Sequence, residues 1–171
     1  LNEKLFARIK QVYNQTDQQA LSQEERMLLQ NTYNSFIRNG ANLAPEQKER
    51  FRQLSAELSV LTLKFSQNNL KETNRYELIL TSEQTDGLPA SALDSYAQAA
   101  KEKEKEGYLV TLHAPSFVPF MKYSTNRALR QQLYMAYNTQ CTHDDEYNNL
   151  EIVQKLVNLR LERSQLLGFN T

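Results

Sequence analysis

Residues 45–75 read PEQKERFRQLSAELSVLTLKFSQNNLKETNR, and the fold class turns on them. Phe51, Leu54, Leu58, Leu61 and Phe65 recur at steps of three and four residues. That spacing keeps every member on one face of an α-helix, as in a coiled-coil seam. Ala56, Val60 and Leu63 form a second apolar line, so the helix is expected to be covered by more than one neighbour. Pro45 suits a first helical position, where its missing N–H costs nothing. No Gly or Pro interrupts the sequence from Glu46 to Arg75. A helix of that length predicts the spine of a helical domain.

Working outward toward the N-terminus, Leu5, Phe6, Ile9, Val12 and Tyr13 make a narrow helical stripe ending near Asn14. Thr16 to Ala20 is a polar break. Ser22 followed three residues later by Glu25 has the form of a capping box. Leu29, Tyr33, Phe36 and Ile37 then carry a second helix, with Gly40 placed for a left-handed C-terminal cap. The linker Asn39 to Ala44 is short enough to fold that helix back, roughly antiparallel, on the spine. Ala44 is a poor N-cap, which predicts a frayed first turn.

Beyond the spine the period changes. Tyr76 to Thr81 and Tyr108 to His113 alternate with a two-residue period, predicting two strands of a small sheet. Between them, Gly87-Leu88-Pro89 is a turn and helix start, and Leu93, Tyr96, Ala97 and Ala100 form a small-residue stripe. The charge run Lys101 to Glu106 reads as a solvated last turn and loop. Pro115 and Pro119 bracket Ser116-Phe117-Val118, predicting a bent connection or a short helical turn. Thr125 or Asn126 can cap a helix striped by Leu129, Leu133, Ala136 and Tyr137. Thr139 to Glu146 is a polar loop. A last helix runs from about Tyr147 to Leu167 with two apolar stripes, Leu150, Val153, Val157, Leu161 and Ile152, Leu156, Leu159, Leu166, which need partners on two sides. Gly168 stands where a cap would end it. Because Leu1 to Lys10 already read as helix, and because of that broad last face, the sequence reads as part of something longer. The fold class is therefore mainly α: a multi-helix domain over residues 1–171, with long antiparallel helices and a small two-stranded β element.

Composition narrows the function. At 171 residues the chain fits one domain able to bury a substantial core. Twenty basic residues balance twenty acidic ones, which argues against a nucleic-acid surface or a polybasic membrane patch. Cys141 is the sole cysteine, so no internal disulfide forms. No run of eighteen apolar residues marks a membrane span.

Residues that could carry chemistry are few. His113 and His143 belong to no His-Glu-x-x-His pair, and His113, inside a strand pattern, reads as structural. Cys141, His143, Asp144 and Asp145 cluster in one loop, but their spacing matches no ordinary zinc template. A Cys141–His143 nucleophile pair lacks a third, orienting group. Phe117, Phe120, Tyr123, Tyr134 and Tyr137 either line a peptide groove or form the core and its rim. The four glycines sit at caps and turns, not in a phosphate loop. No catalytic, cofactor-binding or metal-ligating residue is assigned within the chain.

A set of landmarks is more specific. Phe36-Ile37-Arg38-Asn39-Gly40-Ala41-Asn42-Leu43, Leu61-Thr62-Leu63-Lys64-Phe65-Ser66-Gln67-Asn68 and Gly87-Leu88-Pro89 resemble the M3 family of zinc oligopeptidases. The likeness continues through Tyr108-Leu109-Val110-Thr111-Leu112, Pro115-Ser116, Phe120-Met121-Lys122-Tyr123, Asn126-Arg127 with Leu129-Arg130, and Leu159-Arg160 with Leu166-Leu167-Gly168-Phe169. It covers nearly the whole chain in the family's order, and is strongest for the branch holding the bacterial peptidyl-dipeptidases (dipeptidyl carboxypeptidases) and oligopeptidase A. The resemblance implies a mostly helical, two-lobed parent enzyme whose deep channel admits short peptides. One zinc ion would be held by a His-Glu-x-x-His helix and a further glutamate, none of which occurs in this sequence. It further implies that these residues shape the substrate channel, pack against the remaining catalytic lobe of the same chain, and are inactive alone. The expected partners are short peptides, with neither nucleic acid nor membrane, and a cytoplasmic location ranks ahead of a periplasmic one. The competing reading is a free-standing helical interaction module acting through the apolar face of its last helix.

Overall fold

The computed structural model describes residues 2–17 and 20–171; Leu1, and Gln18 and Gln19 of the polar break, lie outside the described residues. Among the described residues there are seven α-helices and one two-stranded antiparallel sheet, the mainly helical class that the periodicities predict. The spine is α3, a single helix over Pro45–Arg75. Its first turn does not fray. Gln47 Oε1 accepts the Ala44 N–H at 3.3 Å and the Lys48 N–H donates to Ala44 O at 2.8 Å, so Gln47 supplies the half of a capping box that needs nothing from the Ala44 side chain. Along the seam Leu54 and Leu58 are buried, Phe51 and Leu61 are half-buried, and Phe65 is at the surface. The second line behaves differently from expectation. Val60 and Leu63 are 66% and 59% exposed, because no described element is laid over that face.

The chain divides into two compact units, one of Leu1–Leu61 with Gln154–Thr171 and one of Thr62–Val153. In the first, α1 (Glu3–Gln15) packs on α2 (Gln23–Arg38). Aromatic rings mark the contact. Phe6 lies 6.2 Å from Tyr33 and 5.7 Å from Phe36, and Tyr13 stacks on Tyr33 at 4.0 Å. The capping box at Ser22 is fully formed: Ser22 Oγ accepts from Glu25 N–H, and Glu25 Oε2 accepts from Ser22 N–H at 2.9 Å. That backbone bond holds the Glu25 carboxyl below the usual carboxylate range. At the other end Gly40 has φ +81°, and the bonds Gly40 N–H to Ile37 O and Ala41 N–H to Phe36 O complete a Schellman stop. Farther along, Arg50 grips Glu162 of α7 (Leu150–Leu166) with two bonds of 2.6 and 2.7 Å, a fork-to-carboxylate geometry.

The second unit is built on the sheet. β1 (Leu78–Leu80) pairs with β2 (Tyr108–Val110) in the register Leu78↔Val110, Ile79↔Leu109, Leu80↔Tyr108. Each strand is three residues long, not six, because Thr81 opens a short 3₁₀ turn and the chain after Val110 turns into a helix. α4 (Ala90–Glu102) and α5 (Ala114–Tyr123) contact β2, and α6 (Arg127–Asn138) packs on α5. Their core holds Leu78, Leu80, Leu88, Ala92, Tyr96, Val110, Leu112, Phe120 and Leu133. Tyr96 is almost wholly buried; its hydroxyl donates to Ser116 O at 2.7 Å, and burial pushes its pKa up to about 12.

The expectation for His113 changes here, and two others gain detail. Of the bent connection and the short helical turn expected around Pro115 and Pro119, the helix is found, but longer: ten residues with Pro119 inside it. Pro115 falls in the first turn, where prolines are tolerated, and Pro119 forgoes a single backbone bond one turn later. His113 is not in a strand but exposed at the start of α5, its Nε2 3.0 Å from Asn74 Oδ1. The charge run is exposed, yet Lys103 and Lys105 both hold Glu77. Of the two cap candidates, Asn126 is the cap: its Oδ1 accepts the Leu129 N–H at 3.1 Å. Gly87 is required for a steric reason. With φ +83°, a Cβ there would stand 2.3 Å from the Tyr123 carbonyl oxygen.

On α7 only one of the two stripes is covered. Ile152 and Leu156 are buried, whereas Leu150, Val153, Val157 and Leu161 are all more than 40% exposed.

Leu58 is 6% exposed, so a carboxylate placed there is buried without a partner. Leu58→Asp is expected to lower stability by several kcal/mol, comparable with a total of about 5–15 kcal/mol. A thermal melt within a degree or two of the parent protein would disprove the seam.

Candidate functional site

The residue types with the most chemistry converge in the second unit, where the C-terminal part of α3 meets the loop from Thr139 to Asn149. On α3, Asn68, Glu72 and Arg75 stand four and three residues apart, on one helical face. Each finds a partner in or near the loop. Asn68 Nδ2 donates to Asn149 Oδ1 at 2.9 Å, and Asn149 Nδ2 donates to Phe65 O at 3.2 Å. The Asn149 N–H reaches Cys141 O at 2.8 Å. Arg75 bridges two carboxylates, Glu72 Oε2 at 2.7 Å and Asp145 Oδ2 at 2.8 Å, and lies over the Tyr147 ring at 5.0 Å. Gln140 Nε2 donates to Thr73 Oγ1 at 2.8 Å. Asn68, Glu72 and Asn149 are all buried, and a buried polar group left unpaired costs about 1–3 kcal/mol. The pairs therefore fix the loop in one place on the helix.

What the cluster can do chemically follows from its electrostatics. The Asp145 carboxyl is held below the usual carboxylate range by the Arg75 guanidinium and by the Tyr147 N–H. Cys141 is buried, with φ +57°. Burial first, then the charges of Glu72 and Asp145, push its thiol up, and a thiol so raised is a poor nucleophile. His143 is exposed, its Nε2 4.0 Å from Glu72 Oε1. Among the described residues no group of three or more His, Cys, Asp and Glu could hold a metal ion. The residues present thus do not fit a zinc site. The four loop residues that the sequence brings together part company in space: Cys141 points inward, Asp145 joins the Arg75 bridge, and His143 and Asp144 face solvent. Sequence reading named Asn68 only as the end of a family landmark and did not single out Glu72, Arg75 or Asn149. One signal was available: Asn68, Glu72 and Arg75 continue the spacing of the α3 seam past Phe65 with polar residues.

The aromatic set also divides. Phe120 is in the core, and Phe117 stacks on Tyr137 at 4.3 Å. Tyr123, Tyr134 and Tyr137 are 43–51% exposed.

Comparison with known proteins adds what this geometry lacks. The chain is 34% identical over 174 residues to the organellar oligopeptidase A of Arabidopsis thaliana, covering 97% of its own length and 22% of that protein's. It is 36% identical over 152 residues to oligopeptidase A of Haemophilus influenzae, with 86% and 22% covered. Dipeptidyl carboxypeptidase of Escherichia coli matches at 29% over 171 residues, with 99% and 25% covered. The chain is homologous to the M3 peptidases. No protein-family model matches it. It spans roughly a quarter or less of the length of these M3 relatives, and the identities are higher for oligopeptidase A than for the dipeptidyl carboxypeptidase. No helix of the described residues is long and apolar enough to cross a membrane.

The Arg75 bridge gives a pH test. Because the folded-state carboxyl of Asp145 is lowered, its stabilising contribution is complete above the unfolded value near pH 4 and is lost as pH falls through the folded value. Arg75→Gln should lower the melting temperature at pH 7 and flatten its decline in acid, so that both proteins converge near pH 2. Curves that stay parallel from pH 7 to pH 2 would mean that the bridge adds nothing.

Proposed function

We propose that this chain is the channel-shaping, non-catalytic part of a zinc-dependent peptidase that cleaves short peptides, of the oligopeptidase A or dipeptidyl carboxypeptidase type. The observation that carries this reading is the match to peptidases over 86–99% of the chain. The chemistry of the chain agrees with a supporting role. Peptide hydrolysis at neutral pH needs an activated water and a polarised carbonyl, which a zinc ion with an open position supplies. The described residues offer no ligand set for one. The zinc would sit in a catalytic lobe of the same protein, and the contribution of this part would be to hold an extended peptide near it and keep folded proteins out. A cytoplasmic location belongs to the same proposal, supported by a probable cytosolic oligopeptidase A of Arabidopsis thaliana among the relatives.

The test is an assay of a short-peptide library with the 171-residue chain and with the complete gene product, each with and without a chelator. The complete product is expected to cleave peptides and to lose that activity to the chelator, while the 171-residue chain is inert and retains no zinc after dialysis. Metal-independent cleavage by the chain alone would sink the proposal, and so would a complete product without peptidase activity.

A further inference from the structure

Charge is distributed unevenly in a chain that is neutral overall. From Gly107 to His143 there is no Asp or Glu, while Lys122, Arg127 and Arg130 fall in the same interval. The second unit brings two of those cations, Arg127 and Arg130, to one cleft. Arg127, Arg130, Gln131 and Tyr134 lie on one face of α6, and with Met121 of α5 they line a cleft of about 370 Å³. Lys48, Arg50, Arg52, Arg75, Lys103 and Lys105 each hold a carboxylate of this chain. Among the described residues, Lys122, Arg127 and Arg130 hold none, as is true of most other cations of the chain; what sets them apart is the absence of acid in their stretch of sequence. Arg130 spends one N–H on the Ser124 carbonyl, which anchors its guanidinium in place. No acid lines the cleft.

We infer that this cleft is a subsite for a carboxylate carried by a peptide. Two guanidinium groups present the planar donor forks that match a carboxylate, and the Gln131 amide and Tyr134 hydroxyl add two further polar groups. Tyr134 and Met121 offer apolar surface for the neighbouring peptide atoms. A peptide fits better than a nucleic acid, since two cations on a neutral chain neutralise few phosphates. The carboxylate is either an Asp or Glu side chain or the peptide's C-terminus. This inference rests on the peptidase reading for its choice of a peptide, and it deepens that reading by naming a preferred feature of the substrate.

The test is an NMR titration of the 171-residue chain with three uncharged-backbone hexapeptides of Ala and Ser. One carries a central Glu and a C-terminal amide, the second a central Gln and a free C-terminus, and the third a central Gln and an amide. At least one of the first two is expected to bind about two- to fivefold tighter than the third, the scale of one exposed ion pair, with shifts at Arg127, Gln131 and Tyr134. Which of the two binds tells the source of the carboxylate. Arg127→Ala should erase the difference with an unchanged melting temperature, Arg127→Lys should keep part of it, and 0.5 M salt should weaken it. Equal affinity for all three peptides overturns the inference, as does a preference that survives Arg127→Ala. Tighter binding of a short oligothymidylate through the same arginines would also overturn it. Peptidase activity is read separately, so a complete gene product that fails to cleave peptides leaves carboxylate binding standing, and the converse also holds.

Discussion

A 31-residue helix cannot turn aside to hide unlike surfaces, so the seam of α3 changes chemistry along its length. From Phe51 to Phe65 it is apolar; at the same spacing it then becomes Asn68, Glu72 and Arg75. Leucines four apart are nearly interchangeable, and a purely apolar seam tolerates a slip of one turn. The buried Asn68–Asn149 pair does not, since a shift would strand two amides away from both water and each other. The amides therefore contribute register where the leucines contribute burial, the use of buried polar groups that is best attested in coiled coils.

The same cluster shows why proximity of titratable groups is a weak sign of catalysis. Glu72, Arg75, Asp145, His143 and Cys141 lie close together, yet the two carboxylates share one guanidinium and the thiol is driven toward its protonated form. Active sites set pKa values near the working pH. Here the shifts lead away from it, as expected of a tie between a loop and a helix.

Much of this was legible in the sequence because it is encoded locally. The capping box at Ser22, the stop at Gly40 and the turn at Gly87 are each read from residues within a few places of one another. The M3 landmarks were legible for the same reason. The parts that were not legible depend on distant partners. Alternation across six residues gave two strands, but only the three positions that face a partner pair. Pro119 signals a break in isolation, yet helical backbone survives around it because Phe120 and the preceding turn are packed into the unit's core. Asn68 finds Asn149 81 positions away, and no local pattern announces such a bond. The exposure of Val60 and Leu63 is likewise a matter of what the rest of the chain lays on them.

The Arg50–Glu162 bond joins positions 112 residues apart, and this has a consequence for the order of events during synthesis. The second unit is one uninterrupted segment, whereas the first is assembled from two segments separated by the whole of it. On a ribosome adding about 5–20 residues per second, the second unit is complete while the last helix is still being made. The first must wait several seconds for its second segment, Gln154–Thr171, before Arg50 can meet Glu162. Closing so long a loop through a flexible chain costs about 4 kcal/mol of entropy. A segment already folded shortens the effective distance, so early folding of the middle of the chain prepares the joining of its ends.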